Sequence, residues 1–174
     1  MAFADESAQA VRALENEQSG DDAFPRTAER FRRTRARLGL TEAQVAERWG
    51  LEPSLYWDLE ISNSEVFMCV SLSELPRLAA ALEVPLLVLL FGGEPENPVV
   101  PLSYGEVARH IQERSVRDGM SLGQLSEVAG WELEPIVQDA EALGTYNLSG
   151  VYDICKIAGV DWLRVLAEAA RKGP

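Results

Sequence analysis

Few side chains in this chain have the company that chemistry demands. His110 is the only imidazole, and Cys69 and Cys155 stand too far apart for a Cys-x-x-Cys metal or redox pair. A zinc site is therefore not expected, and neither is a Ser/His/Asp or Cys/His nucleophilic set; His110 reads as a solvated or packed side chain of a helix. Glu132 and Glu134 are close enough to be imagined as an acid and base, but neighbouring carboxylates on a turn, with no nucleophile or metal beside them, read as solvated. Gly92-Gly93 precedes a proline-rich stretch rather than a helix, so it is not a phosphate-binding loop. The expectation is a chain without catalytic residues, metal or cofactor.

Charge is the remaining chemistry. The formal net charge of -12 opposes a phosphate backbone, which rewards clustered Lys and Arg. One basic cluster runs against that balance: Arg26, Arg30, Arg32, Arg33, Arg35 and Arg37. Two readings stand for it, contact with backbone phosphates or a solvated helix face near Glu29.

The elements that carry these groups read as helices throughout. With 47% hydrophobic residues in 174, the chain can bury one ordinary core or two small ones. Its longest apolar run, Val84 to Phe91, is far below the ~20 residues of a membrane span, and the first residues lack the basic and apolar regions of a signal peptide; a cytoplasmic, unprocessed protein is expected. Residues 1–25 are acidic, with Val11 and Leu14 able to share one face of a short helix from Ser7 to Gln18. Pro25 closes this tail, and the run Gly92 to Pro98 separates two segments, giving a tail at 1–25, domains at 26–91 and 103–174, and a linker at 92–102.

In the first segment Phe31, Arg35 and Leu38 share a helix face that ends at Gly39. Thr41 and Gln44 form a capping box for a second helix, whose buried face is Val45, Ala46 and Trp49 and whose stop is Gly50. Pro53 opens a third helix that turns Tyr56 and Leu59 inward. After a loop, Ser71 and Glu74 are expected to box a fourth helix carrying Leu75, Leu78 and Leu82, and Pro85 to begin a fifth that ends at Phe91. The plan then repeats: Ser103 and Glu106 cap a helix ending near Gly119, and Ser121 with Gln124, Leu125 and Gly130 stand eighty positions after Thr41 with Gln44, Val45 and Gly50. Asn147 caps a helix that stops at Gly159, and Val160 to Leu163 starts the last. No stretch alternates with period two, so essentially no strand is expected.

Leu38 to Ala46, Trp49-Gly50-Leu51, Leu59-Glu60 and Leu78 to Pro85 together give residues 27–91 a resemblance to the phage-repressor and Cro type of helix-turn-helix domain, and residues 103–172 resemble it more weakly. The fold expected is all-α: two tandem five-helix domains of this type, joined by a Gly/Pro linker. The resemblance implies a structural ion pair between Arg35 and Glu60, and Ser115 in the arginine's place in the second copy. It also implies that the start of the second helix meets phosphate and that the third helix reads base edges.

Those jobs need donors, and the reading positions hold Glu52, Pro53, Ser54 and Asp58. From Thr41 to Ser71 six acidic residues face one basic residue, and from Ser121 to Asn147 five acidic residues face none, so both faces repel phosphate. Trp57, with Asp58, Glu65, Phe67 and Met68, suggests a protein-interaction or self-association surface; the other reading is that the loop at 65–70 folds back on its own core. The expected function is a non-enzymatic regulator acting through a protein partner of basic character or through self-association, without a membrane. The alternative is a sequence-specific DNA-binding transcriptional regulator using Arg30, Arg33, Arg37, Thr41, Gln44 and Ser54.

Overall fold

The computed structural model describes residues 26–93, 95 and 97–173, so the acidic tail at 1–25 lies outside the described residues. The described chain is all-helical, with a single isolated bridge between Ser71 and Asn147 and no strand. None of its helices is long and apolar enough to cross a membrane. It forms two compact units, one containing 26–70 and 74–98, the other containing Ser71–Ser73 and Val99–Lys172.

Unit 1 comprises α1 (Thr27–Arg37), α2 (Glu42–Trp49), α3 (Pro53–Ile61), α4 (Glu65–Cys69), α5 (Leu75–Ala81) and α6 (Leu86–Phe91). Glycine in the left-handed region ends the first two turns: Gly39 at φ 66° and Gly50 at φ 85°. The Thr41–Gln44 box starts α2, with the Gln44 amide N–H donating to Oγ1 of Thr41 and the Thr41 N–H donating to Oε1 of Gln44. α2 packs on α3 and α5, and α1 on α3 and α6. Between them lie Phe31, Val45, Tyr56, Leu59, Leu75 and Leu78, all fully buried, with Phe31 and Tyr56 edge to face at 6.4 Å. The Phe31, Val45, Leu59, Leu75 and Leu78 side chains each contribute about 1.5–3 kcal/mol of burial free energy.

Two local expectations are overturned here. The stretch read as a loop is the helix α4, because Val66 and Phe67 find a core to fill and bury completely. Ser71 does not box α5; Glu74 occupies the N-cap without a side-chain bond, while Ser71 belongs to the other unit, where the Leu72 and Ser73 amides donate to the Tyr146 and Gly144 carbonyls.

Unit 2 contains α7 (Tyr104–Asp118), α8 (Leu122–Ala129), α9 (Glu134–Gln138), a 3-10 helix (Ala140–Thr145), α10 (Leu148–Ala158) and α11 (Trp162–Lys172). Capping boxes Ser103–Glu106 and Ser121–Gln124 start α7 and α8, and the Asn147 side chain accepts from the Gly150 amide to start α10. α7 packs on α10, α9 and the 3-10 helix, and α10 on α8 and α11. Val107, Ile111, Leu133, Ile136, Val151 and Ile154 form the core. The stretch read as linker divides: Val99–Leu102 cluster with unit 2, where Leu102 is buried and its amide donates to the Arg164 carbonyl.

Candidate functional site

α3 is held by one ion pair. The Arg35 guanidinium donates from Nε and Nη2 to the two carboxylate oxygens of Glu60, each at 2.6 Å, and from Nη1 to the Leu40 carbonyl at 3.1 Å. Glu60 is 3% exposed and the Arg35 side chain 20%, so the carboxylate that joins the end of α3 to α1 is shielded from water while the guanidinium stays partly solvated. The bond to Glu60 raises the Arg35 pKa above its already high value, and burial, with Glu60 next, raises that of Tyr56. Both groups therefore keep one charge state across the physiological range.

With Tyr56, Leu59 and Glu60 turned inward, the opposite side of α3 is set. Trp57 is 52% exposed and Ile61, one turn on, is 57% exposed, so the two make an apolar strip at i, i+4. Met68 of α4 is 54% exposed. Ile61 was not singled out from the sequence, although its spacing from Trp57 is the signal that finds it. Phe67 corrects the expectation in the other direction, since it is fully buried and cannot anchor a partner. Glu47 of α2 and Glu52 at the N-cap of α3 are exposed, and Asp58, next to Trp57 in sequence, is half-exposed. Glu65 accepts a hydrogen bond from the Cys69 thiol at 2.9 Å, which, with burial, pushes that thiol up to about 11.

The arginines of α1 do not act as one cationic ridge. Arg30, read from the sequence as a phosphate contact, instead reaches across unit 1 and donates to the Leu89 and Leu90 carbonyls, at 3.2 and 2.5 Å, near the end of α6. Arg35 is committed to Glu60, and Arg33 pairs with Glu29 at 2.5 Å. Arg32 and Arg37 are exposed. Thr41 and Gln44 spend their side chains on each other's backbone, and Ser54 is exposed on the first turn of α3. Arg48, the single cation between Thr41 and Ser71, pairs with Glu83 at 3.2 Å.

In unit 2 the sequence reading missed a cluster around Trp131. The indole N–H donates to Asp153 at 3.0 Å, the ring meets Tyr146 edge to face at 5.9 Å, and the Tyr146 hydroxyl donates to the Glu132 carbonyl at 2.5 Å. A Cβ at residue 150 would stand 3.2 Å from three atoms of the indole, so Gly150 lets the ring lie on the α10 backbone. Among the described residues no group of three or more His, Cys, Asp or Glu side chains is arranged to hold a metal ion. Comparison of the chain with protein-family models, with curated proteins and with solved structures gives no match.

Proposed function

We infer that the chain is a non-enzymatic regulatory protein built on two repressor-like helix-turn-helix scaffolds, the second a degenerate copy, and that unit 1 binds a protein through the outer side of α3. The observation that carries this is the exposed strip of Trp57 and Ile61 on α3, in a stretch that offers Glu47, Glu52 and Asp58 where a nucleic-acid reader needs amides and cations. An exposed aromatic beside an aliphatic residue supplies the anchor of a protein interface, and the acidic residues of α2 and α3 favour a basic partner. A cytoplasmic location goes with this reading.

The second reading, a sequence-specific DNA-binding transcriptional regulator, draws on one observation: Arg32 and Arg37 are exposed on α1, with Arg33 at 77% side-chain exposure despite its pair with Glu29. One pair of measurements separates the two. Fluorescence anisotropy with mixed genomic fragments at low salt is expected to show little association. Capture from the native cell with wild-type bait, against a Trp57→Ala, Ile61→Ser bait, is expected to show a basic protein lost on substitution. Tight, salt-sensitive DNA binding that survives that double substitution would overturn the protein-binding reading.

A further inference from the structure

The Trp131 cluster borders an open hollow of about 580 Å³, within the size range of small-ligand sites, lined by Gly123, Ser126, Glu127, Glu132, Trp131 and Tyr146 among others. Two aromatic rings at 73° to one another form a corner of its wall. Both are polarised by their own hydrogen bonds: the indole N–H gives to a carboxylate and the phenol O–H to a carbonyl, each of which enriches electron density on the ring faces. Glu127 and Glu132 are exposed on the same lining and make no ion pair with any described residue. From Ser121 to Asn147 the chain contains no Lys, Arg or His.

Unit 2 also shows what such a combination accepts. The Lys172 ammonium sits 3.8 Å from the centroid of the Tyr104 ring and bonds both oxygens of Glu141 at 2.6 and 2.7 Å. Ring, carboxylate and ammonium there form a closed set within the fold. The Trp131 hollow has two rings and two carboxylates, and its own stretch of chain supplies no cation to complete them.

We propose that the Trp131–Tyr146 hollow is a recognition site for an organic cation, an alkylammonium or guanidinium group, held against the two rings and neutralised by Glu127 and Glu132. The cation comes either from a Lys or Arg side chain of a basic protein or from a free small ammonium compound. Gly150 and Asp153 are positioning residues, which set the plane of the indole from α10. This inference concerns unit 2 alone and stands apart from the reading of α3.

Two-dimensional NMR of the full chain reads the site directly, because the Trp131 indole N–H is one member of the only bond holding that ring to Asp153 among those described. The probes are tetramethylammonium, acetyl-lysine amide and acetyl-arginine amide, with tert-butanol, acetyl-norleucine amide and acetyl-citrulline amide as neutral counterparts. Saturable shifts of the Trp131 indole and the Gly150 amide are expected with cations only, while the Trp49, Trp57 and Trp162 indoles stay in place and report an intact fold. Whether tetramethylammonium or the amino-acid amides bind more tightly tells a small compound from a protein side chain. Glu127→Gln with Glu132→Gln is expected to weaken binding about fivefold or more and to remove most of its salt dependence. Equal shifts from the neutral probes, no saturable shift, or an unchanged affinity in the double variant would overturn the proposal.

Discussion

In unit 1 a Thr41–Gln44 box opens α2, Gly39 precedes it at φ 66° and Gly50 closes it at φ 85°; eighty positions on, Ser121–Gln124 opens α8 between Gly119 at φ 65° and Gly130 at φ 71°. Up to this point the two units obey one plan. They part at the next helix. In unit 1 the Arg35–Glu60 pair joins α1 to a nine-residue α3. In unit 2 the equivalent of Arg35 is Ser115, whose hydroxyl reaches only the Met120 carbonyl at 2.6 Å, just as one arm of Arg35 reaches Leu40. The helix that follows has five residues and gives way to a 3-10 turn, and the chain around it is fixed by Trp131, Tyr146 and Asp153. One opening motif thus supports two fastenings, one built on buried charge and the other on an aromatic ring lying on a glycine.

The sharpest way to separate the fastenings is to remove each in turn. Arg35→Ala leaves Glu60 buried without its partner and is expected to destabilise unit 1 by about 3–5 kcal/mol, whereas Ser115→Ala is expected to remove about 1 kcal/mol from unit 2. Chemical denaturation followed by amide exchange of each unit checks both numbers. Arg35→Met with Glu60→Leu is expected to recover most of the loss, which would show that the penalty belongs to the stranded carboxylate. In unit 2, Gly150→Ala places a methyl group 3.2 Å from the indole, which must give by a few tenths of an ångström, and a net loss of about 1 kcal/mol is expected once the ~0.5–1 kcal/mol that Ala gains over Gly inside a helix is counted. A midpoint raised by the full helix gain of Ala over Gly would mean that the ring is not fixed by that backbone.

What was legible in the sequence and what was not divides along the range of the interactions. A capping box is decided by residues i and i+3, so Thr41–Gln44, Ser103–Glu106 and Ser121–Gln124 are visible as letters and are found as bonds. The turn glycines are equally local. Ser71 has the letters of a box with Glu74, yet the next two amides pair with carbonyls of Tyr146 and Gly144, an interaction across more than seventy residues that no four-residue pattern contains. Phe67 stands beside Met68 in sequence, one fully buried and one half exposed; which of the two points inward depends on α4 forming at all. Arg30 looks like its neighbours in a basic run and differs only in having the last carbonyls of a distant helix within reach. The acidity around Trp131 was countable, but the ring's place on α10 rests on the absence of a side chain at residue 150.

Two smaller effects test how far the shared plan extends. Thr41→Ala and Ser121→Ala each remove a side-chain acceptor from the same cap position and are expected to destabilise their units by a similar ~1 kcal/mol; unequal losses would show that the two openings are alike only in outline. The thiols give a kinetic contrast. Cys155 is buried and its pKa is raised by burial, so in the folded chain only Cys69 should alkylate. The thiolate is the reactive form, and a pKa of about 11 leaves little of it near neutral pH, so alkylation of Cys69 should be slow and rise steeply above about pH 9. Glu65→Gln removes the negative charge that stabilises the protonated thiol, leaving only a neutral amide oxygen to accept from it, and should speed the reaction about tenfold at about pH 8.5, measured by mass spectrometry of the labelled peptide.

The reach of Arg30 onto the Leu89 and Leu90 carbonyls joins the first turn of α1 to the last turn of α6, a span of about sixty residues closed at its base. The first helix of unit 1 and the last are consequently tied together at one place, like a purse drawn shut by one cord. Loosening that cord frees both ends of the span at once, so amide protection in the first turn of α1 and the last turn of α6 is expected to fall together.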